Sequence, residues 1–127
     1  MESASQGGIV ERTYQFALRV VKLSKELVKR GAVERTLSLQ LLRSATSVGA
    51  NVQEGQSAQT KPDFITKNCI ALKEANESAY WLRLVADANL VDPNLIEDLR
   101  DECRQIVAIL NSIVKTARQN PKDQRSR

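Results

Sequence analysis

Leu99, Cys103, Ile106, Leu110, Ile113 and Ala117 recur at alternating steps of four and three residues without a break. That spacing lines all six along one stripe of a helix, close to the 3.5-residue repeat of a helical seam. A strand is excluded, because its side chains change face at every residue. A single helix is excluded as well: an apolar stripe this long is stable in water only against other packed elements. Val107 and Val114 widen the seam, and Asp92 followed by Pro93 supplies its start, an N-cap carboxylate and a first-turn proline.

The rest of the chain provides the partners. From Ile9 to about Arg30 a helix is expected, with Phe16, Val20, Leu23 and Leu27 on one stripe and Ala17, Val21 and Val28 on the next. Its apolar arc is about half the circumference, wider than the roughly 100° that one core contact needs, which predicts a second packing partner. Gly31 is read as its end. After a turn at Ala32 to Arg35, Leu37, Leu41, Ala45, Val48 and Val52 define a second helix ending near Gly55 to Ser57, with Gly55 as terminator. Gly49 interrupts it at a cost of about 1 kcal/mol relative to Ala, which suggests that another backbone approaches there. Thr60, Pro62 and Asp63 open a third helix running to about Asn89, whose seam is Ile65, Leu72, Ala75, Ala79, Leu82 and Ala86. Connections this short force sequential helices to be antiparallel. The expected fold is therefore all-α, an antiparallel up-down-up-down four-helix bundle over residues 9–118, with a flexible leader at 1–8 and a basic, disordered tail at 119–127.

Charge is unevenly placed. The net +4 resides in the five basic residues from Lys115 onward, Lys115, Arg118, Lys122, Arg125 and Arg127, against the single acid Asp123. The remaining body carries 14 basic and 14 acidic residues and is neutral. The terminus reads either as a solubilising tail or as an arm for an acidic partner, and an oligomer would multiply its field. On the first helix Arg12, Arg19, Lys22 and Lys29 form a second basic set, read either as a solvated face or as a contact for an RNA backbone. With no histidine in the chain, Ser-His-Asp and Cys-His nucleophile systems and the Glu-x-x-His ligand pairs of di-metal bundles are excluded. No phosphate-binding glycine loop, dinucleotide fingerprint or zinc spacing occurs, so no cofactor, metal or enzymatic activity is expected. Glu54, Glu74 and Glu77 make only a weak cation site. Cys69 and Cys103 fall within apolar helical patterns and are read as buried free thiols. With no apolar run long enough to span a membrane and no signal peptide, the cytoplasm is the expected location.

One polar line breaks the apolar pattern. Arg43, Ser47, Asn51 and Glu54 recur at steps of four, four and three beside the apolar stripe of the second helix, and Glu77 on the third helix lies within reach of it. These five residues are expected to form a buried network, either inside one subunit or at a subunit boundary where it would specify register and oligomer number. The third helix carries its own mixed stripe, Ile70, Glu74, Glu77, Trp81 and Leu84, with Trp81 read as a packing anchor.

These segments carry a resemblance. QLLRSATSVGANVQEG, from Gln40 to Gly55, resembles the signature of the bacterial four-helix-bundle family of 23S rRNA intervening sequence proteins, also called S23 ribosomal proteins, whose pattern runs LRRAxxSIxANIAEG. Leu42, Arg43, Ala45, Ser47, Asn51, Glu54 and Gly55 match, and Val48 and Val52 stand where isoleucines are usual. Ser44 and Gln53 depart from the pattern and are expected to affect surface detail more than fold. Downstream, Ile70 to Val85 resembles a KEAxExxYWLxLL version of the family's third helix. The resemblance extends over about residues 9–118. It implies a homo-oligomer, a pentamer, and no defined activity. A related group, the accessory variability determinants of diversity-generating retroelements, is similar in fold and binds reverse transcriptase and nucleic acid. Two functions are therefore expected of a nonenzymatic chain like this one. It is either an oligomeric scaffold that binds RNA or DNA through its basic surface and tails, or an adaptor for a protein partner such as a reverse transcriptase without touching nucleic acid.

Overall fold

The structure, a computed structural model, describes residues 4–120. Over that span the chain forms four helices and no strand: α1 (Ala4–Leu27), α2 (Ala32–Gln56), α3 (Lys61–Asp87) and α4 (Pro93–Gln119). Each packs on its sequential neighbours, α1 also meets α4, and the diagonal pairs stay further apart, which is the square ring of an antiparallel four-helix bundle. Phe16, Val20 and Leu27 from α1, Leu41, Val48 and Val52 from α2, Leu82 and Val85 from α3, and Ile106 and Leu110 from α4 converge on the common core. The α4 seam is buried as Ile96, Leu99, Cys103, Ile106, Leu110, Val114 and Ala117, with Val114 taking the inward place expected of Ile113.

Local chemistry explains the helix starts. The Thr60 hydroxyl accepts from the Asp63 amide at 3.2 Å and the Asp92 carboxylate accepts from the Asn94 amide at 2.9 Å, each beside a first-turn proline. Asn89 ends α3 in the left-handed region, φ 58°, and the Leu90 amide turns back to the Val85 carbonyl at 3.2 Å. Asparagine tolerates this conformation better than any residue but glycine.

Several boundaries differ from the sequence reading. The first helix begins at Ala4, inside the stretch read as a leader, and ends at Leu27. Ala32 to Arg35, read as a turn, form the first turn of α2, and Gly31 is the N-cap of α2 in extended conformation. Gly55 does not terminate α2: it lies buried within the helix, where an added Cβ would come within 3.0 Å of the Asn68 amide nitrogen on α3. The expected α3 seam is rotated as well. Asn68, Ala71, Glu74, Ala75, Ser78, Leu82 and Val85 are buried, whereas Ile65, Leu72, Ala79 and Ala86 are half-buried on its flank. The physical reason is that α3 packs on both α2 and α4, so its inward direction lies between two apolar stripes.

Candidate functional site

Three features of the bundle surface are candidates for function: the polar line of α2, the cations, and a groove between α1 and α2. The polar line separates into three parts. Arg43 reaches across to α3, where its Nη2 contacts Glu77 Oε2 and its Nη1 lies 3.4 Å from Glu74 Oε1. Trp81 completes this group by donating Nε1–H to Glu77 Oε2 at 3.0 Å, and its ring meets Tyr80 edge to face at 5.0 Å. Asn51 turns back within α2 and donates to the Ser47 carbonyl at 2.9 Å and hydroxyl at 3.1 Å. Glu54 pairs with Lys67 at 2.9 Å, and the hydrogen bond holds the Lys67 ammonium above its ordinary pKa. One connected network over Arg43, Ser47, Asn51, Glu54 and Glu77 therefore does not form within the subunit. The group is not fully buried either, since the Arg43 side chain is 53% exposed and Glu77 33% exposed. Water screens such a pair, which contributes about 1 kcal/mol or less.

The buried polar contact between α2 and α3 is elsewhere. Ser44 and Ser78, both fully buried, share a hydrogen bond of 2.8 Å, and Ser78 also donates to the Glu74 carbonyl at 2.9 Å. Ser44 is thus a core contact and not surface detail. The signal was present in the sequence: Leu41, Ser44 and Val48 follow one another at steps of three and four on the inward stripe.

The cations do not form one surface. Arg12 is held by α4, its guanidinium forking onto Glu102 at 2.9 and 3.0 Å with a further bond to Gln105 at 2.7 Å. The Glu102 hydrogen bond raises its pKa, and the guanidinium is committed to bundle packing. Since Arg12 faces Glu102, Arg19 lies roughly 10 Å along the axis in one direction and Lys115 roughly 20 Å in the other, from the helical rise. Arg19 and Lys22 are exposed near the α1 end of the bundle, and Lys29 is exposed beyond it with Glu26 at 3.9 Å. Lys115 and Arg118 lie at the opposite pole, where Arg118 donates to the Cys69 thiol at 3.3 Å and Lys61 contacts the Asn120 carbonyl. Lys122, Arg125 and Arg127 fall outside the described residues. Cys69 and Cys103 are free, with Cys69 half-buried, and burial pushes the Cys103 thiol up to about 12. Among the described residues no group of three His, Cys, Asp or Glu side chains is placed to hold a metal ion, and no helix is long and apolar enough to cross a membrane.

The groove between α1 and α2 answers the wide apolar arc of α1. Gly49 lets α1 come close: a Cβ there would sit 3.3 Å from the Thr13 carbonyl oxygen. Outside that contact, Val10, Tyr14, Ala17, Leu18 and Val21 of α1 and Gly49 and Ala50 of α2 line an apolar depression of about 460 Å³. Tyr14 stands 59% exposed at its edge. Ala17 and Val21 of the second stripe face this depression rather than the core, whereas Val28 lies beyond the end of α1.

Comparison with known proteins follows the fold closely. A family model described as 23S rRNA-intervening sequence protein matches residues 6–112. The crystal structure of a protein with unknown function from the S23 ribosomal protein family, from Bacteroides thetaiotaomicron, is 39% identical, with a TM-score of 0.80 over 87% of this chain and 98% of that one. Among curated proteins there is no match.

Proposed function

This chain belongs to the family of 23S rRNA-intervening sequence proteins, and on that premise we propose that it is a nonenzymatic cytoplasmic scaffold, a homo-oligomer of five copies, that binds RNA or DNA. The subunit number comes from the family resemblance. The observation that carries the reading is the basic pole. Lys61 at the start of α3 contacts the carbonyl of Asn120, and Lys115 and Arg118 lie in the last turns of α4. Lys122, Arg125 and Arg127, which lie outside the described residues, follow Asn120 directly in the sequence, so more cations are joined covalently to this pole. Assembly of several copies repeats this pole and strengthens its field toward phosphates, with little dependence on base sequence. The apolar α1/α2 groove supports association, because an uncovered depression of this composition is stabilised when a second surface removes it from water.

Light scattering coupled to size exclusion, with and without a structured RNA, tests both halves. A mass of several subunits is expected, reduced in Ala17→Glu. RNA is expected to co-elute at low salt, to separate as salt rises, and to be lost in Lys115→Glu/Arg118→Glu. A monomer mass, or RNA retention indifferent to salt and to those substitutions, overturns the reading. A second reading, an adaptor for a protein such as a reverse transcriptase, is supported by the half-exposed stripe of Trp81, Glu77 and Arg43. Recovery of a protein partner from nuclease-treated lysate separates it from the first, since a partner bridged by RNA is lost there.

A further inference from the structure

Where α1 and α4 meet they touch least of all neighbouring helices, and a second depression of about 320 Å³ opens between them near the α3–α4 connection. Its floor is aliphatic: Leu23, Val91, Leu95 and Leu99. Leu99 and Val91 are nearly closed off from solvent, whereas Leu95 is 63% exposed. The rim is cationic. Arg19 and Lys22 stand on it with no ion pair among the described residues, Arg30 donates to the Leu90 carbonyl at 2.8 Å, and Glu26 is the single acid.

We propose that this depression is a docking site for an acidic amphipathic segment of a partner protein, whose apolar side chain enters the aliphatic floor while its carboxylates meet Arg19 and Lys22. Charge complementarity selects the acid, and the floor selects a peptide over a polynucleotide. Phosphates need no aliphatic floor, and no aromatic side chain lines this depression to stack a base. The volume lies at the lower end of the range of small ligand sites and suits one or two anchor side chains. The site is some 30 Å from the basic pole along the bundle, so it is independent of the nucleic-acid reading and compatible with either proposed function.

The test uses the full chain and a fluorescent helix-forming peptide with leucines at i and i+4 flanked by glutamates. Its counterparts are a version with lysines for glutamates, one with serines for leucines, polyuridylate, and vesicles containing anionic lipid. Anisotropy is expected to show binding of the acidic leucine peptide alone among the peptides. Arg19→Glu/Lys22→Glu and Leu95→Asp are each expected to weaken it about tenfold or more, whereas Lys115→Glu/Arg118→Glu leaves it unchanged. All these positions are exposed, and circular dichroism checks that each variant keeps its helicity. The proposal is overturned by any of four results: no binding of the acidic peptide, equal binding of the serine version, binding of polyuridylate or vesicles that is lost in Arg19→Glu/Lys22→Glu and survives Leu95→Asp, or a fall in assembly mass in Leu95→Asp, which would make this face a contact between copies. Absence of peptide binding in a chain that still retains RNA fails this site alone, whereas absence of RNA retention in a chain that still binds the peptide fails the nucleic-acid reading alone.

Discussion

The α2–α3 contact and the α1–α4 contact are built from opposite materials. Between α2 and α3, Gly55 lies against Lys67 and Asn68, and the buried Ser44 and Ser78 share a hydrogen bond of 2.8 Å, so small groups let the two helices approach closely. Between α1 and α4 the meeting residues are larger, and the contact is bridged at its rim by Arg12 and Glu102 while a depression stays open beside it. The difference shows that a bundle with one continuous core still divides its edges into closed seams and accessible ones, and that side-chain size decides which is which.

Truncation should separate the two edges most widely. Leu41→Ala, at a fully buried position of α2, is expected to lower stability by about 2–5 kcal/mol in urea unfolding. Leu95→Ala, on the open edge, should stay within about 0.5 kcal/mol. Similar losses from both would mean that the α1–α4 edge is as closed as the other. Overpacking comes next: Gly55→Leu drives a side chain against Asn68 and is expected to cost about 1–3 kcal/mol, and an unchanged unfolding midpoint would show that α2 and α3 are more loosely packed than described.

The α3–α4 seam offers a pH probe that neither edge shares. Cys103 donates to the Ala75 carbonyl at 3.4 Å, and burial pushes its thiol from the ordinary 9.0 to about 12. Between those values the unfolded chain has lost the proton and the folded one keeps it. Stability should therefore fall as pH rises from about 9, by roughly 1.4 kcal/mol per unit at most. Thermal melts of Cys103→Ala should show a shallower decline over that window; parallel curves would place the thiol in water. At the open edge, Arg12→Ala strips Glu102 of its bidentate partner and should cost about 1 kcal/mol, reduced by salt. The smallest effect contrasts hydroxyls. Ser38 and Ser24 are buried with no hydrogen-bond partner among the described residues, unlike Ser44 and Ser78. Ser38→Ala is expected to be neutral or to stabilise by up to about 1 kcal/mol, whereas Ser44→Ala should destabilise by about that amount. Equal signs in differential calorimetry would erase the distinction.

Much of the fold was readable in the chain because helical period is a local property. The α4 seam, the Thr60 and Asp92 caps and the close approach at Gly49 each follow from residues a few positions apart. The reading failed where a residue's meaning depends on a distant partner. Gly55 looks like a terminator until Asn68 is set beside it, and Glu54 looks like a member of the Arg43 line until Lys67 takes it. The cations were readable as residues but not as places: Arg12 differs from Arg19 only because Glu102 lies across from it.

Taken alone, the order of residues determined that this protein is helical and how many rods it has, since these follow from local spacing and capping, whereas the inward side of α3 was set by its packing on both α2 and α4. Tertiary packing decided which polar groups are spent on one another and which remain exposed. That outcome depends on side-chain sizes and charges on two helices at once, and it exists only when the helices have met.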